Sequence, residues 1–167
     1  TAIGDFTGHS GLAAAFDDTT NSVDTATAAE TSGTANNTTL FAIGKDWGVG
    51  VTKYITGFKW WSASNDGIHS NGTNTSGCSL VLLGHSSNDW TAATTLGTLG
   101  SLNFRTLNTE HSILDITRGT GYRYHWVKPI PSASATGHLF CAELRFYEDP
   151  LTETANATGT LIQSANT

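Results

Sequence analysis

The chain has 167 residues, of which 14 are acidic and 8 are basic, so its formal net charge is −6 at neutral pH. Only 13% of the residues are charged and 38% are hydrophobic, with 18 glycines and abundant Thr, Ser and Asn. This length suits one domain with a substantial core, and this composition favours short strands and turns over amphipathic helices. We therefore expect an all-β domain over residues 1–149, followed by a tail or linker at 150–167.

Charge and hydropathy exclude two classes of partner. No two Lys or Arg residues are adjacent, whereas binding to a phosphate backbone requires clustered basic charge. No apolar stretch reaches the length of a membrane span, and no signal peptide is visible. We expect neither a nucleic-acid partner nor membrane insertion.

The N-terminal third combines a short helical turn with a long polar segment. The sequence predicts the turn around Leu12 to Phe16, ahead of an Asp/Thr/Asn turn cluster. Residues 22–39 are almost all small and polar and show no apolar period, which predicts a surface loop.

Seven strand-like segments then follow, separated by clusters of Gly, Asn, Asp, Ser or Pro. Such a series predicts an antiparallel β-sandwich of two sheets. Alternation in the last segment puts Phe140, Leu144 and Phe146 on a core face, and Glu143 with Arg145 on the other face. The segments are LFAIGKDWG, KYITGFKWW, CSLVLLGH, LNFRTLN, HSILDIT, YRYHWVKP and LFCAELRFYE.

Enzyme signatures are incomplete. GHSGL at 8–12 and GHSSN at 84–88 lack the final glycine of a nucleophile elbow, and RGTGYRY lacks the third glycine of a dinucleotide fingerprint. The six histidines show no metal-ligand spacing. The two cysteines, Cys78 and Cys141, each lie in a predicted strand, which leaves open either a disulfide or two buried thiols. We expect a protein without catalytic activity.

The order of five segments resembles one known family. AAAFDDTTN, AIGKDWGVGVTKYITGFKWWSASNDG, CSLVLLGHSSNDWTAATTLG, YRYHWVKPIPS and FCAELRFYE follow one another as in the discoidin-like, or F5/8 type C, β-sandwich. This galactose-binding-like jelly roll includes many carbohydrate-binding modules, and the resemblance covers residues 12–148. The phrases IGKDWG and YRYHW are similar to discoidin-like modules of phage structural proteins.

The resemblance implies a structural calcium ion where the first loop meets the last strand. Asp17 matches the loop aspartate of the family and Glu143 the carboxylate of its last strand. Oxygens at Thr20, Phe16 and Ala142 are further candidate ligands, and such a mixture of oxygens suits a hard cation.

The residues also allow a second interpretation of this junction. Asp17 would cap a turn, while Glu143 would pair with Arg145 or with a cation on a neighbouring strand. Asp18 stands where the family usually has glycine, and Asp tolerates a left-handed backbone better than most residues do.

Two loops carry the aromatic and polar side chains that sugar-binding sites use. If Phe58 and Trp60 face the core, Trp61 must face outward beside a polar loop. The alternative interpretation is that Trp90 closes an edge of the sandwich. The candidate ligand-binding residues are Trp61, Asn65, Asp66 and His69 after the second strand segment, and Asn88, Asp89 and Trp90 after the third.

These features favour a carbohydrate-binding module that attaches a phage particle or a secreted parent protein to cell-surface carbohydrate. We expect it outside the cell or on the virion surface. The alternatives are a structural or decoration domain that contacts other virion subunits, and an accessory domain of a glycosidase. Because the sequence starts at Thr1 and contains no Met, we expect a chain that was processed or excised from a longer one.

Overall fold

A computed structural model describes residues 1–22, 27–69, 77–132 and 136–148. Within these ranges the chain forms eleven strands and two short 3₁₀ helices, Leu12–Phe16 and Trp90–Ala92, with every strand pair antiparallel. No helix in the described ranges is both long and apolar enough to cross a membrane. The predicted tail, residues 150–167, lies outside the described residues.

The first sheet has five strands in the spatial order β1, β4, β9, β6, β7. Two of its three inner strands, β6 and β9, are almost continuously buried, as their runs of apolar residues predict. The edge strand β7 is largely exposed. The strands are β1 (Ala2–Gly4), β4 (Ile43–Asp46), β6 (Cys78–His85), β7 (Thr94–Leu102) and β9 (Tyr124–Ile130).

The second sheet has three strands, and a third sheet of three very short strands lies beside it. In the second sheet β11 is an edge strand that pairs with β5, and the register places Glu143 opposite Trp61 and Arg145 opposite Lys59. The second sheet contains β5 (Ile55–Trp61), β8 (Glu110–Ile113) and β11 (Glu143–Glu148); the third contains β2 (Gly8–His9), β3 (Ala29–Glu30) and β10 (Phe140–Cys141).

The main core lies between the first two sheets and confirms the predicted sandwich. Phe58 and Trp60 of β5 pack in it with Leu80 and Leu82 of β6, and all four are fully buried. Trp126, also fully buried, lies in a second cluster on the other face of the first sheet. That cluster contains Ala42, Val81, Leu83, Tyr124 and Trp126, with Ile3, Trp90, Ala93 and Ile130 packed against it.

Three local predictions have definite outcomes. The helical turn at Leu12–Phe16 is confirmed. The strand predicted in LNFRTLN is wrong, because residues 103–109 form turns, while β7 just before them was missed. The prediction of a surface loop over 22–39 is also wrong in part, because Ala29 and Glu30 form β3 and are buried.

The two cysteines are free, buried thiols. Cys78 Sγ accepts a hydrogen bond from the Ser132 main-chain N–H at 3.2 Å. Burial raises the pKa of Cys141 well above its usual value, so this thiol is poorly suited to act as a nucleophile.

Trp60→Ala is expected to lower the free energy of unfolding by about 3–5 kcal/mol, because it opens a cavity in the main core. Trp60 is fully buried and packs edge-on against Phe6 with ring centroids 5.9 Å apart. Val49→Ala is the control, since Val49 is 87% exposed and should change the value by less than about 0.5 kcal/mol. Urea unfolding measures both, and equal midpoints for the two variants would contradict the placement of the core.

Candidate functional site

A cleft of about 410 Å³ lies between the two main sheets, beside the edge strand β11. Its volume falls within the range of small-molecule sites. Three parts of the chain form its walls: the end of the first 3₁₀ helix with the turn after it, the end of β4, and β11. The lining residues are Phe16, Asp18, Lys45, Trp47, Glu143, Leu144, Arg145, Phe146 and Tyr147.

The turn after the first 3₁₀ helix is shaped by two aspartates. Asp17 Oδ1 accepts a hydrogen bond from the Thr19 main-chain N–H at 2.9 Å. Asp18 has φ = 65°, so it adopts the left-handed backbone that the glycine of the resembling family would favour. The Asp18 main-chain N–H donates to Glu143 Oε2 at 3.0 Å.

Glu143 joins this turn to the last strand through a buried carboxylate. Its side chain is 3% exposed, and Arg145 Nε donates to its Oε1 at 3.1 Å while Arg145 Nη2 lies 3.2 Å from Asp18 Oδ1. Burial raises the pKa of Glu143, and the Arg145 guanidinium opposes that rise. The first loop and the last strand therefore meet, as the sequence predicts. Their contacts are those of the second interpretation, in which Asp17 caps a turn and Glu143 pairs with Arg145.

A cation at this junction would depend on a mixed set of oxygens. The described ranges contain no group of three or more His, Cys, Asp or Glu side chains placed to hold a metal ion. Main-chain and hydroxyl oxygens would therefore have to complete the set around Asp17 and Glu143, as calcium permits. Thr20 lies partly exposed in the same turn. Calcium stays a prediction.

The opposite wall of the cleft is built on Lys45 and Trp47. The Lys45 ammonium lies 5.8 Å from the Phe16 ring centroid and 5.0 Å from that of Trp47. Trp47 is held in turn, because its Nε1–H donates to His125 Nδ1 at 3.0 Å and its ring meets Phe146 edge-on at 5.9 Å. This wall is therefore fixed from within the sandwich.

Trp61 lies on the outer face of the second sheet, as predicted from the buried Phe58 and Trp60. The Arg145 guanidinium lies 5.0 Å from the Trp61 ring centroid, and Lys59 lies 5.8 Å from it. Lys59 also lies 5.9 Å from the Tyr147 ring and pairs with Glu110 at 3.0 Å. Arg145 and Tyr147 also line the cleft, so Trp61 and Lys59 continue its lining; these two residues and the lining residues are together called the cleft surface.

The other residues predicted with Trp61 are placed differently. Asn65 is exposed, and Asp66 Oδ1 pairs with Arg105 Nη1 at 2.7 Å. His69, predicted as a candidate ligand-binding residue, is not available to a ligand at the surface, because its side chain is fully buried and its main chain bridges Leu139. Burial lowers the pKa of His69.

The second predicted loop lies at the opposite end of the sandwich from Trp61. The bridge between Lys53 and Tyr122 puts the start of β5 near the end of β6, where His85 pairs with Tyr124. Trp61, at the other end of β5, is therefore far from this loop. The structure does not bring the two predicted loops together into one site.

Residues of that second loop have structural contacts of their own. Asp89 Oδ1 caps the second 3₁₀ helix by accepting from the main-chain N–H groups of Thr91 and Ala92 at 3.0 and 3.4 Å. Hydrogen bonds from Thr91 lower the pKa of Asp89. Trp90 packs against the second apolar cluster, on the outer face of the first sheet, and Asn88 is exposed.

The fold occurs in solved carbohydrate-binding proteins, whereas no protein-family profile and no curated protein matches the sequence significantly. The chain is similar to a CBM62 from Clostridium thermocellum Xyl5A, with 26% identity, TM-score 0.60 and coverage of 91% of this chain and 96% of that one. A family 32 CBM from C. perfringens NanJ, solved with galactose, has 12% identity, a TM-score of 0.56 and coverage of 89% of this chain and 93% of that one. An f-lectin (fucolectin) from striped bass, Morone saxatilis, has 15% identity, a TM-score of 0.53 and coverage of 89% of this chain and 46% of that one.

These likenesses confirm the fold that the sequence predicts. The chain is a discoidin-like, galactose-binding-like β-sandwich, the fold of carbohydrate-binding modules and of lectin domains.

Acid is expected to destabilise the domain through His125, whose pKa is lowered to about 4 by burial. The unfolded chain, with an ordinary histidine pKa of about 6.5, binds a proton in this window that the folded chain does not. Stability should therefore be complete above pH 6.5 and fall as the pH drops towards 4, by up to roughly 3 kcal/mol. Protonation of Nδ1 would also break its bond from Trp47.

Urea unfolding at several pH values between 4 and 8 measures this effect. His125→Gln, which keeps an acceptor for Trp47, should show a smaller loss of stability with acid than the unchanged chain. The buried His69 and His111, whose pKa values burial also lowers, act in the same direction and remain in the variant. An identical pH dependence in the variant would contradict the role of His125.

Proposed function

We propose that the domain is a non-catalytic carbohydrate-binding module and that its cleft, extended by Trp61, holds the sugar. The observation that carries the proposal is the composition of the cleft. It brings the rings of Phe16, Trp47 and Tyr147 together with the hydrogen-bonding groups of Lys45 and Asp18. The similarity in fold to carbohydrate-binding modules, one of them solved with galactose, supports it.

The cleft matches the chemistry of a pyranose ring. A sugar has apolar C–H surfaces, which pack against aromatic side chains, and hydroxyl groups, which need donors and acceptors. The side chain of Asp18 is 88% exposed and can accept from hydroxyls, while the Lys45 ammonium carries three N–H donors. Tyr147, at 36% exposure, offers an aromatic surface that solvent already reaches.

The carboxylates at the cleft argue for binding without hydrolysis. Glycoside hydrolysis usually requires a pair of carboxyl groups that flank the scissile bond. Glu143 is buried with both oxygens engaged, one by Asp18 N–H and one by Arg145. It therefore supports the cleft structurally, and Asp18 is left as the exposed acid.

In its parent protein this module would attach a phage particle or a secreted protein to cell-surface glycans.

A structural or decoration domain of a virion is a second candidate function. The turn around Val49 and Val51 favours it, because these apolar side chains are 87% and 38% exposed and could contact another subunit. Binding of the fluorescently labelled domain to cells distinguishes the two. The attachment role predicts binding that glycosidase treatment of the cells removes, and a purely structural role predicts no binding.

Trp61→Ala and Tyr147→Ala are each expected to weaken glycan binding roughly thirtyfold, because loss of an aromatic anchor at a binding site costs about 2 kcal/mol. A glycan array identifies the ligand, and isothermal titration calorimetry with that ligand gives the affinities. Trp90→Ala is the matched control, since Trp90 lies at the opposite end and should leave the affinity unchanged. Absence of binding to any glycan would overturn the proposed function, whereas normal affinity in both cleft variants would overturn its location.

We also propose a calcium ion at the junction of the first loop and the last strand, held by Asp17, Glu143 and the oxygens of Thr20. The buried carboxylate of Glu143, in contact with the Asp17–Asp18 turn, supports it. When bound, the ion would add its positive charge to that of Arg145 beside the buried carboxylate and fix the turn.

Removal of calcium by EDTA should lower the melting temperature, because a ligand that binds the native state stabilises it. Asp17→Ala should abolish the difference between calcium and EDTA, whereas Asp115→Ala, at an exposed position away from the junction, should retain it. Differential scanning calorimetry measures these shifts. The same melting temperature with calcium and with EDTA in the unchanged chain would contradict the proposal.

A further inference from the structure

Lys45 differs from the other cations of the cleft surface in its partners. Arg145 is paired with Glu143 and Asp18, and Lys59 is paired with Glu110. No Asp or Glu of the described ranges forms an ion pair with Lys45, whose contacts are the Phe16 and Trp47 rings. The cleft therefore contains one positive charge that no carboxylate of the described chain neutralises.

The aromatic contacts fix this charge in place. Lys45 lies on β4 opposite His125 of β9, so its side chain starts from the inner face of the first sheet. The Trp47 ring beside it is held by the hydrogen bond to His125. An aromatic face attracts a cation but takes up none of its N–H donors in ordinary hydrogen bonds. The ammonium is thus pre-positioned and keeps donors for a ligand, which lowers the entropic cost of binding.

A carboxylate is the ligand group that this arrangement suits best. In a hexuronic acid the carboxylate is bonded directly to the pyranose ring. A ring packed against the aromatic side chains of the cleft can therefore direct its carboxylate towards a neighbouring ammonium. The ammonium and the carboxylate then attract each other as opposite charges in addition to sharing a hydrogen bond. A neutral hexose has a hydroxymethyl group at the same position, whose oxygen accepts a hydrogen bond from the ammonium but carries no opposite charge.

The net charge of the chain makes this local cation more important. At a formal charge of −6 the protein as a whole repels acidic ligands. Long-range repulsion is screened beyond about 10 Å at 0.1 M salt, whereas a contact pair in a partly enclosed cleft is screened much less. Selectivity for an acidic sugar would therefore come from the contact with Lys45.

We propose that the cleft selects acidic saccharides of the hexuronic acid class and that Lys45 is the residue that binds their carboxylate. This inference rests on the proposed carbohydrate-binding function and adds the class of ligand and the residue that determines specificity.

The test uses three matched pairs of short oligosaccharides: galacturonate and galactose, glucuronate and glucose, mannuronate and mannose. Isothermal titration calorimetry is performed on the unchanged chain, on Lys45→Met and on Lys128→Met. Lys128 is the matched control, because its ammonium also lies over a tryptophan ring, 6.0 Å from that of Trp90, but outside the cleft. The glycan array is run in parallel.

At least one acidic oligosaccharide should bind about tenfold more tightly than its neutral partner, because the carboxylate adds the attraction of a second, opposite charge to the bond from the ammonium. Lys45→Met should remove that preference by weakening the acidic partner about tenfold more than the neutral one, and Lys128→Met should keep the preference.

The remaining outcomes separate this inference from the proposed function. Equal or tighter binding of the neutral partners, or array binding confined to neutral glycans, would overturn the acidic preference and leave carbohydrate binding intact. A preference that persists in Lys45→Met would overturn the role of Lys45. Absence of binding to all six oligosaccharides and to every glycan on the array would overturn both proposals.

Discussion

The candidate site depends on the hydrogen bonds that the buried carboxylate of Glu143 accepts. Glu143 stands at the first residue of β11, opposite Trp61 of β5, and it accepts hydrogen bonds from the Asp18 main chain and from Arg145. Burial of a charge is tolerated only when it is paired and hydrogen-bonded, so these three groups form one unit. The loss of one partner would leave the carboxylate unsatisfied, which is far more costly than the loss of a surface ion pair.

This unit determines where the other groups of the site lie. Because Glu143 holds Arg145, the guanidinium lies between the Trp61 ring and the cleft. Because it holds Asp18, the end of the first 3₁₀ helix brings Phe16 to the same cleft. The facing wall comes from the first sheet, where the buried His125 fixes Trp47 and the two aromatic rings position Lys45. The cleft is thus formed at the meeting of two sheets and the first loop.

The sequence predicts those parts of the fold whose pattern is set by burial. β5, β6, β9 and β11 are apolar enough for alternation or continuous burial to show, and the outward direction of Trp61 follows from Phe58 and Trp60. The edge strand β7 was missed because it is mostly Thr and Gly and largely exposed. β3 was missed because two residues, Ala29 and Glu30, are too few to show a period.

The candidate site was predictable only in part. The meeting of the Asp17–Asp18 turn with Glu143 follows from the family resemblance, although these residues are about 125 positions apart. The local sequence does not show that one cleft contains Lys45, Trp47 and Tyr147. A strand pattern predicts the face of the sheet on which a side chain lies, but not which part of another sheet lies next to it. Nothing local in the sequence shows that His69 is buried or that its main chain bridges Leu139, so the sequence predicts it among the ligand-binding candidates.

The indole N–H signals of the five tryptophans give the most direct test that the cleft binds carbohydrate. A ¹H–¹⁵N correlation spectrum is recorded while the strongest array ligand is added to the ¹⁵N-labelled domain. We expect progressive shifts of the Trp47 and Trp61 indole signals, which belong to the cleft surface, and an unchanged signal for Trp90. Shifts confined to Trp90, or no shift of Trp47 and Trp61 at saturating ligand, would contradict this expectation.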